Sequence, residues 1–397
     1  MDNVFIRRTD TLQPGFTVGV MLGNKETRGD VGLEIEVEGN KFPKPEGYEG
    51  THQPVKLAGT NYWSYVHDGS LRGKDNAEYV LTRPILFGEV PKAVDEIFDK
   101  LKKYGSVMTE SNRTSVHVHM NCQQFHLNRL TSLLALYYTF EEVLTEWCGD
   151  HRVGNLFCMR AVDAPAIITQ VKKFIKTDGR YQLSDSHHYA ALNTNALFKL
   201  GSLECRTLRG VNEAGPIVTW VSILQRLYEM SSQFEDPREI IALFSQEGPV
   251  SFFDSILGEH AKTVRDGIEF DYDRIGESMY EGIRMAQDLC YSRDWSLYRA
   301  QKLAIDPFGR DAKKMAKKLT SSPVTSTGGM VQMSQEMFNQ VYGLNTLGAL
   351  GETATPPMAA YQILNGPPPP PPLEWGADPF EGPPEPEYDD VDEGEEI

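Results

Sequence analysis

The sequence predicts an α+β protein: short runs of period-two alternation crowd the first half, helical periodicity takes over in the second, and no regular strand–helix–strand beat links them. The strand-like runs are Val31 to Glu38, Asn61 to Leu71, Asn76 to Thr82, Thr114 to Asn121 and Ser202 to Leu208. A turn at Asp68-Gly69 and a short polar loop are expected between the second and third. Pro84 should end the third run or place it at a sheet edge. Helices fit Pro91 to Tyr104 and Asn128 to Cys148. In the latter, Leu130, Leu133, Leu134, Tyr137, Val143, Leu144 and Trp147 form a broad apolar face destined for the core. Asp236-Pro237-Arg238-Glu239 supplies a cap, a first-turn proline and an N3 glutamate ahead of Ile240, Ile241, Leu243 and Phe244, so a helix starts there. Further helices fit Glu277 to Tyr291, Asp311 to Leu319 and Ser334 to Tyr342.

The chain of 397 residues is long enough for a substantial core. It has no run of about 18 apolar residues and no apolar stretch near its first residues, so neither a membrane span nor a secretory signal is expected. A cytoplasmic location follows as an expectation. Five cysteines form no CxxC pair and are odd in number, which favours reduced, buried thiols over a zinc ribbon or a disulfide framework. The net charge is −17, but Glu374 to Ile397 contribute eleven acidic residues and no Lys or Arg. The remainder carries only −6, too little to single out a basic partner and the wrong sign for nucleic acid. The proline run Pro367 to Pro372 opens this acidic tail, which reads as solvated and disordered, with a protein partner as the alternative.

Three runs carry chemistry. In Val31 to Glu38, Val31, Leu33, Ile35 and Val37 point to one face and Glu34, Glu36 and Glu38 to the other. Carboxylates two residues apart on a strand lie roughly 7 Å from each other and repel by about 2.5 kcal/mol at an effective dielectric near 20. One solvated edge strand tolerates that. The second run sets Val116, Val118 and Met120 against Ser115, His117, His119 and Asn121, and a histidine pair opposite an aliphatic face suggests phosphate or metal contact. In the third, Glu204 and Arg206 oppose Leu203, Cys205 and Thr207, a pattern equally consistent with a structural ion pair. If the runs share one sheet, Glu34, Glu36, Glu78 and Glu204 converge with His117, His119 and Arg206. Hard oxygen donors in that number suit Mg²⁺ or Mn²⁺, which relieve the repulsion and bridge phosphates.

At these residues the sequence resembles the amidoligases, carboxylate–amine ligases related in fold to glutamine synthetase and glutamate–cysteine ligase. The similar blocks are GLEIEVEG (Gly32 to Gly39), HDGSL (His67 to Leu71), AEYVLTRPI (Ala77 to Ile85), SVHVHMN (Ser115 to Asn121), HYAALN (His188 to Asn193) and LECRTLRG (Leu203 to Gly210). The resemblance implies a glutamine synthetase-like, largely antiparallel sheet with helices on one face, followed by a helical C-terminal region and the disordered tail. The domain boundaries drawn from it are a catalytic domain over 1–245, a helical extension packed on it over 246–320, a weakly ordered linker over 321–366 and the Pro-rich tail over 367–397. It further implies that Glu34, Glu36, Glu78 and Glu204 hold the metal. His117 and Arg206 are expected to stabilise the transferred phosphoryl group, while His119, Asn193 and Arg209 contact the nucleotide cofactor. Asp68 lies near substrate and is the candidate general base. The chain departs from the family where Thr114 and Ser115 replace a common glycine, and where His187 or His188 replaces an arginine.

An amide forms from a free carboxylate only after activation, so ATP and Mg²⁺ (or Mn²⁺) are expected, with an acyl phosphate as intermediate. No GxxxxGK(S/T) loop offers another nucleotide site. The substrates implied are a small-molecule or peptide carboxylate and an amine. Arg152 and Arg160 could bind the carboxylate, although structural roles are the simpler expectation. Competing readings are a guanidine-type phosphotransferase on the same fold, a metal-dependent hydrolase using His117 and His119, and a non-enzymatic interaction protein.

Overall fold

The computed structural model describes residues 16–298 apart from 49, 51–52, 73–74, 184–187, 269–271 and 297. All of these lie in the first of two units, Met1–Ala316. The helices expected at 311–319 and 334–342, the linker and the tail lie outside the described residues.

The architecture is mixed α+β, with a mostly antiparallel sheet. Its central strand β1 (Val31–Asn40) runs between β4 (Asn76–Leu81) and β6 (Ser115–Asn121). Including β2 (Val55–Lys56), β3 (Trp63–Val66), β7 (Leu192–Asn193) and β8 (Ser202–Arg209), the order across the sheet is β2-β3-β4-β1-β6-β8-β7. A short β5 (Val107–Thr109) takes over from β6 along the same edge of β1. The alternation in β1 is realised as expected: Val31, Leu33, Ile35 and Val37 are no more than 3% exposed.

That aliphatic face is covered by α2 (Val90–Tyr104), α3 (Leu127–Trp147) and α6 (Ala214–Met230). Trp63 of β3 donates its ring N–H to the Ala93 carbonyl of α2 at 2.7 Å, and the Tyr137 hydroxyl of α3 meets Thr207 Oγ1 of β8 at 2.8 Å. Helix α3 is buried nearly all round rather than along one stripe, because α9 (Tyr272–Cys290) lies against its other side. A methyl group at Gly282 of α9 would sit 2.4 Å from the Tyr138 carbonyl oxygen, so only glycine permits the two helices to meet there. Fully burying each α3 leucine stabilises by roughly 1.5–3 kcal/mol.

The helix expected after Asp236 is α7 (Arg238–Leu257), and Asp236 Oδ1 accepts the Arg238 backbone N–H at 3.0 Å as a cap should. Its helical dihedrals break at Gly248 (φ 75, ψ 166), just before Pro249. Helix α9 starts at Tyr272, ahead of the expected Glu277, while α4 (Ala166–Lys176) and α6 were not anticipated. The remaining helices are α1 (Val18–Leu22), α5 (Ala196–Leu200) and α8 (His260–Asp266).

One local expectation needs correction. The run Asn61 to Leu71 keeps only Trp63–Val66 as strand, and 67–71 lie outside it. Asp68 is bound locally there, accepting from Ser70 N at 2.7 Å and Ser70 Oγ at 2.8 Å, which holds the chain in a turn instead of a ladder. Of the two outcomes expected for Pro84 the first is realised: β4 lies inside the sheet and ends at Leu81, before Pro84. All five cysteines are buried and free. No helix among the described residues is long and apolar enough to cross a membrane.

Candidate active site

The register of the sheet brings the polar residues into rows. Glu36 lies directly opposite Glu78, Glu34 is paired with His117, and His119 is flanked by Gly32 on one side and Glu204 on the other. Asn193 of β7 extends the last row beyond Glu204. Three strands far apart in sequence thus deliver their carboxylates to one patch, with Glu78 joining through the β1–β4 ladder.

Hydrogen bonds fix each member. Glu34 meets His117 Nδ1 at 2.9 Å and His119 Nε2 at 3.1 Å. Glu36 Oε2 accepts from both the backbone N–H and the hydroxyl of Ser115, at 2.8 and 2.7 Å, while the Ser115 hydroxyl also touches His117 Nε2 at 2.8 Å. Asn193 donates to Glu204 Oε2 at 2.6 Å, and Arg206 donates to Glu204 Oε1. Glu36 and Glu204 are only 5% and 6% exposed, so the glutamate face is a walled site rather than an open surface.

Electrostatics divides these acids. Burial works against charge on Glu34, yet His119 and His117 hold its carboxyl well below the usual range. Glu204 is likewise lowered against its burial, by His119, Arg206 and His117. Glu78 goes the other way, with Arg206 only partly opposing the rise. Burial, then the carboxylates of Glu34, Glu36 and Asp68, push it up to about 9. A cation in the patch would reverse that repulsion.

A bulge shapes the β8 side. Between the pairs Val116–Leu208 and Val118–Cys205, two residues of β8, Arg206 and Thr207, face His117 alone. The carbonyls of these two residues are capped by the fully buried Arg152, through Nη2 to Arg206 at 2.7 Å and Nε to Thr207 at 3.0 Å. Arg206 Nε is buried with no hydrogen-bond partner among the described residues. A buried donor of that kind beside the carboxylates is what an anionic ligand would satisfy.

Glu34, His119 and Glu204 each offer a ligand atom within 4.8 Å of the others, a set that could hold a metal ion. Two carboxylates and one imidazole suit Mn²⁺ or Mg²⁺ once waters or phosphate oxygens complete the shell. His119, expected beside the nucleotide, is part of this group, whereas Glu36 and Glu78, expected as ligands, are not. Residues 28–228, half of the chain, match the family model described as "putative amidoligase enzyme". The chain belongs to the amidoligase family. No curated protein matches it.

Within this amidoligase, the remaining sequence candidates fall into place unevenly. Arg209 donates to the Cys148 carbonyl at 3.0 Å and lines a separate cavity with Glu36 and Glu38, away from Glu34 and His119. Asp68 lies near enough to Glu78 to raise it but is outside the ligand group. Arg160 is paired with Asp163 at 2.8 Å; Arg152 is fully buried, with two nitrogens on backbone carbonyls and its Nη1 without a hydrogen-bond partner among the described residues. His187 lies outside the described residues, and His188 packs on Tyr189, whose ring also approaches the Arg206 guanidinium. Sequence reasoning missed Ser115 as the clamp on Glu36. Its signal was present in the departure from the glycine common at that position.

Proposed function

We propose that this amidoligase is an ATP- and Mg²⁺-dependent carboxylate–amine ligase on a glutamine synthetase-like sheet, acting in the cytoplasm on small-molecule or peptide substrates through an acyl phosphate. The observation that carries the proposal is the convergence of Glu34, Glu36, Glu78 and Glu204 with His119 and Arg206 on one walled face. Glu34, His119 and Glu204 would hold a divalent cation, with Glu36 Oε1 and Glu78 within the same patch. When bound, such a cation neutralises phosphate charge that the carboxylates alone would repel.

Arg206, aimed by the β8 bulge, stabilises charge on the γ-phosphoryl group as it passes to the substrate carboxylate. His117 is a positioning residue: both ring nitrogens are engaged, by Glu34 and Ser115, and it keeps Glu34 turned toward the patch. Asn193 does the same for Glu204. The amine then attacks the acyl carbon, expelling phosphate, and Asp68 at the loop beside Glu78 is the candidate to take its proton. A hydrolase built on both histidines is disfavoured, because His117 has no ring nitrogen to spare.

The test is an ADP-release screen with Mg²⁺ over amino acids, short peptides and polyamines, followed by mass spectrometry for products lighter by one water than the sum of two substrates. A stable phosphorylated product without an amide would assign a phosphotransferase instead. Absence of Mg²⁺-dependent ATP binding in calorimetry would remove the ligase altogether.

A further inference from the structure

The walled face has two ends of opposite character. Toward Glu38, the cavity beside Glu36 is bounded by Glu38, Glu110 and Glu213, with Arg209 as its one cationic wall. Toward the start of β1, a second cavity of ≈ 230 Å³ reaches Glu34 and His119 but is otherwise lined by Gly32, Leu33, Val80, Leu81, Pro84 and Leu200, with Asn121, Ser202 and three threonine or arginine side chains at its margin.

We propose that this second cavity receives the base of the nucleotide, an inference that rests on the ligase function proposed above. A nucleobase is flat, uncharged and apolar on its faces, with hydrogen-bonding groups only at its edge. The cavity matches it: Gly32 leaves the floor bare, Val80 and Leu200 stand as apolar walls, and Thr27, Thr82 and Asn121 lie at the rim. The floor is bare for a definite reason. Gly32 is paired with His119, and even a single methyl group there would come within 3.3 Å of the His119 Cβ. Any larger side chain would fill the cavity. His119, beside Gly32, and Glu34, two residues further along β1, place the cation-binding group at the inner end of the cavity. The phosphate chain then runs toward Glu34, Glu204 and Arg206. A base placed at the other end would lie among Glu38, Glu110 and Glu213, whose charged side chains offer no comparable apolar walls.

The proposal is tested with the full chain, titrating ATP and, separately, inorganic tripolyphosphate in the presence of Mg²⁺. Leu200→Glu is the main variant, because Leu200 is 55% exposed and its backbone carbonyl, which accepts from Gln123, is retained. Gly32→Val is the second, blocking the floor. Leu200→Glu should weaken ATP about tenfold or more, an effect of at least roughly 1.4 kcal/mol. Its tripolyphosphate affinity and thermal midpoint should match those of the unaltered protein. Glu110→Gln, at the opposite end, should leave ATP affinity unchanged. If ATP and tripolyphosphate weaken equally in Leu200→Glu, or if ATP affinity is unchanged in both Leu200→Glu and Gly32→Val, the base does not occupy this cavity. If the unaltered protein binds no ATP, the ligase function fails first, and the two failures are told apart by that control.

Discussion

Glu36 shows how one side chain can join a chemical patch to the stability of the sheet. On an open strand face its loss would remove little packing. Here it takes the buried backbone N–H of Ser115 at 2.8 Å, at the point where β1 exchanges β6 for β5 as its neighbour. Glu36→Ala orphans that donor and should cost about 1–3 kcal/mol in urea unfolding, besides abolishing ATP turnover. Glu36→Gln keeps an acceptor, so it should recover most of the stability and little of the activity. Equal stability of the two variants would contradict the clamp. Glu141 of α3 offers a second test at this scale, away from the patch. It is 2% exposed, accepts the Ala161 N–H at 2.7 Å, and burial, opposed by that hydrogen bond, pushes its carboxyl up to about 8 from an ordinary 4.5. The folded state therefore keeps a proton that the unfolded chain releases. The associated stability is complete below pH 4.5 and declines as the pH rises toward 8, by up to about 1.4 kcal/mol per unit. Glu141→Gln should flatten that decline in denaturant midpoints measured at pH 5 and pH 8.

At the scale of elements, the β8 bulge is the device that aims Arg206, and Arg152 is its lock. Arg152→Ala leaves two buried carbonyls without donors and should lower kcat well beyond any change in KM for ATP, with partial recovery on adding free guanidinium. A loss that tracks stability alone, with no recovery, would make Arg152 only a packing residue. The bulge also marks where sequence reading stops. Strict alternation in β1 and β6 made the aliphatic and polar faces legible, since each residue's face follows from its own position. The pairing of Glu36 with Glu78, and the doubling of Arg206 and Thr207 against His117, depend on registers between segments far apart in the chain. No local pattern encodes them. Helix α6 escaped for another reason: Ile217, Val218, Thr219 and Val221 are β-branched and run through an apolar stretch in which helix and strand periods look alike. The turn at Asp68-Gly69 was legible, but the end of the strand at Val66 was not, because Asp68 satisfies its own neighbour Ser70 in place of a partner strand.

For the whole molecule, a patch of carboxylates assembled from distant strands should respond to divalent ions as a unit. A ligand that binds only the folded state stabilises by about 2.7 kcal/mol at a hundredfold excess over its dissociation constant. Mg²⁺ or Mn²⁺ should therefore raise the thermal midpoint, and Glu34→Gln or Glu204→Gln should abolish the rise. A midpoint indifferent to both ions would count against the cation site. The contact at Gly282 bears on how much chain this unit needs. Helix α3 lies within the family-matched stretch 28–228, yet one of its long sides is sealed by α9, at residues 272–290. A protein cut after residue 228 would leave that side of α3 facing water, and with it Tyr138 and the leucines beside it. The family boundary and the cooperative boundary should thus differ: a piece ending at residue 228 should melt well below one that keeps α9, through Cys290.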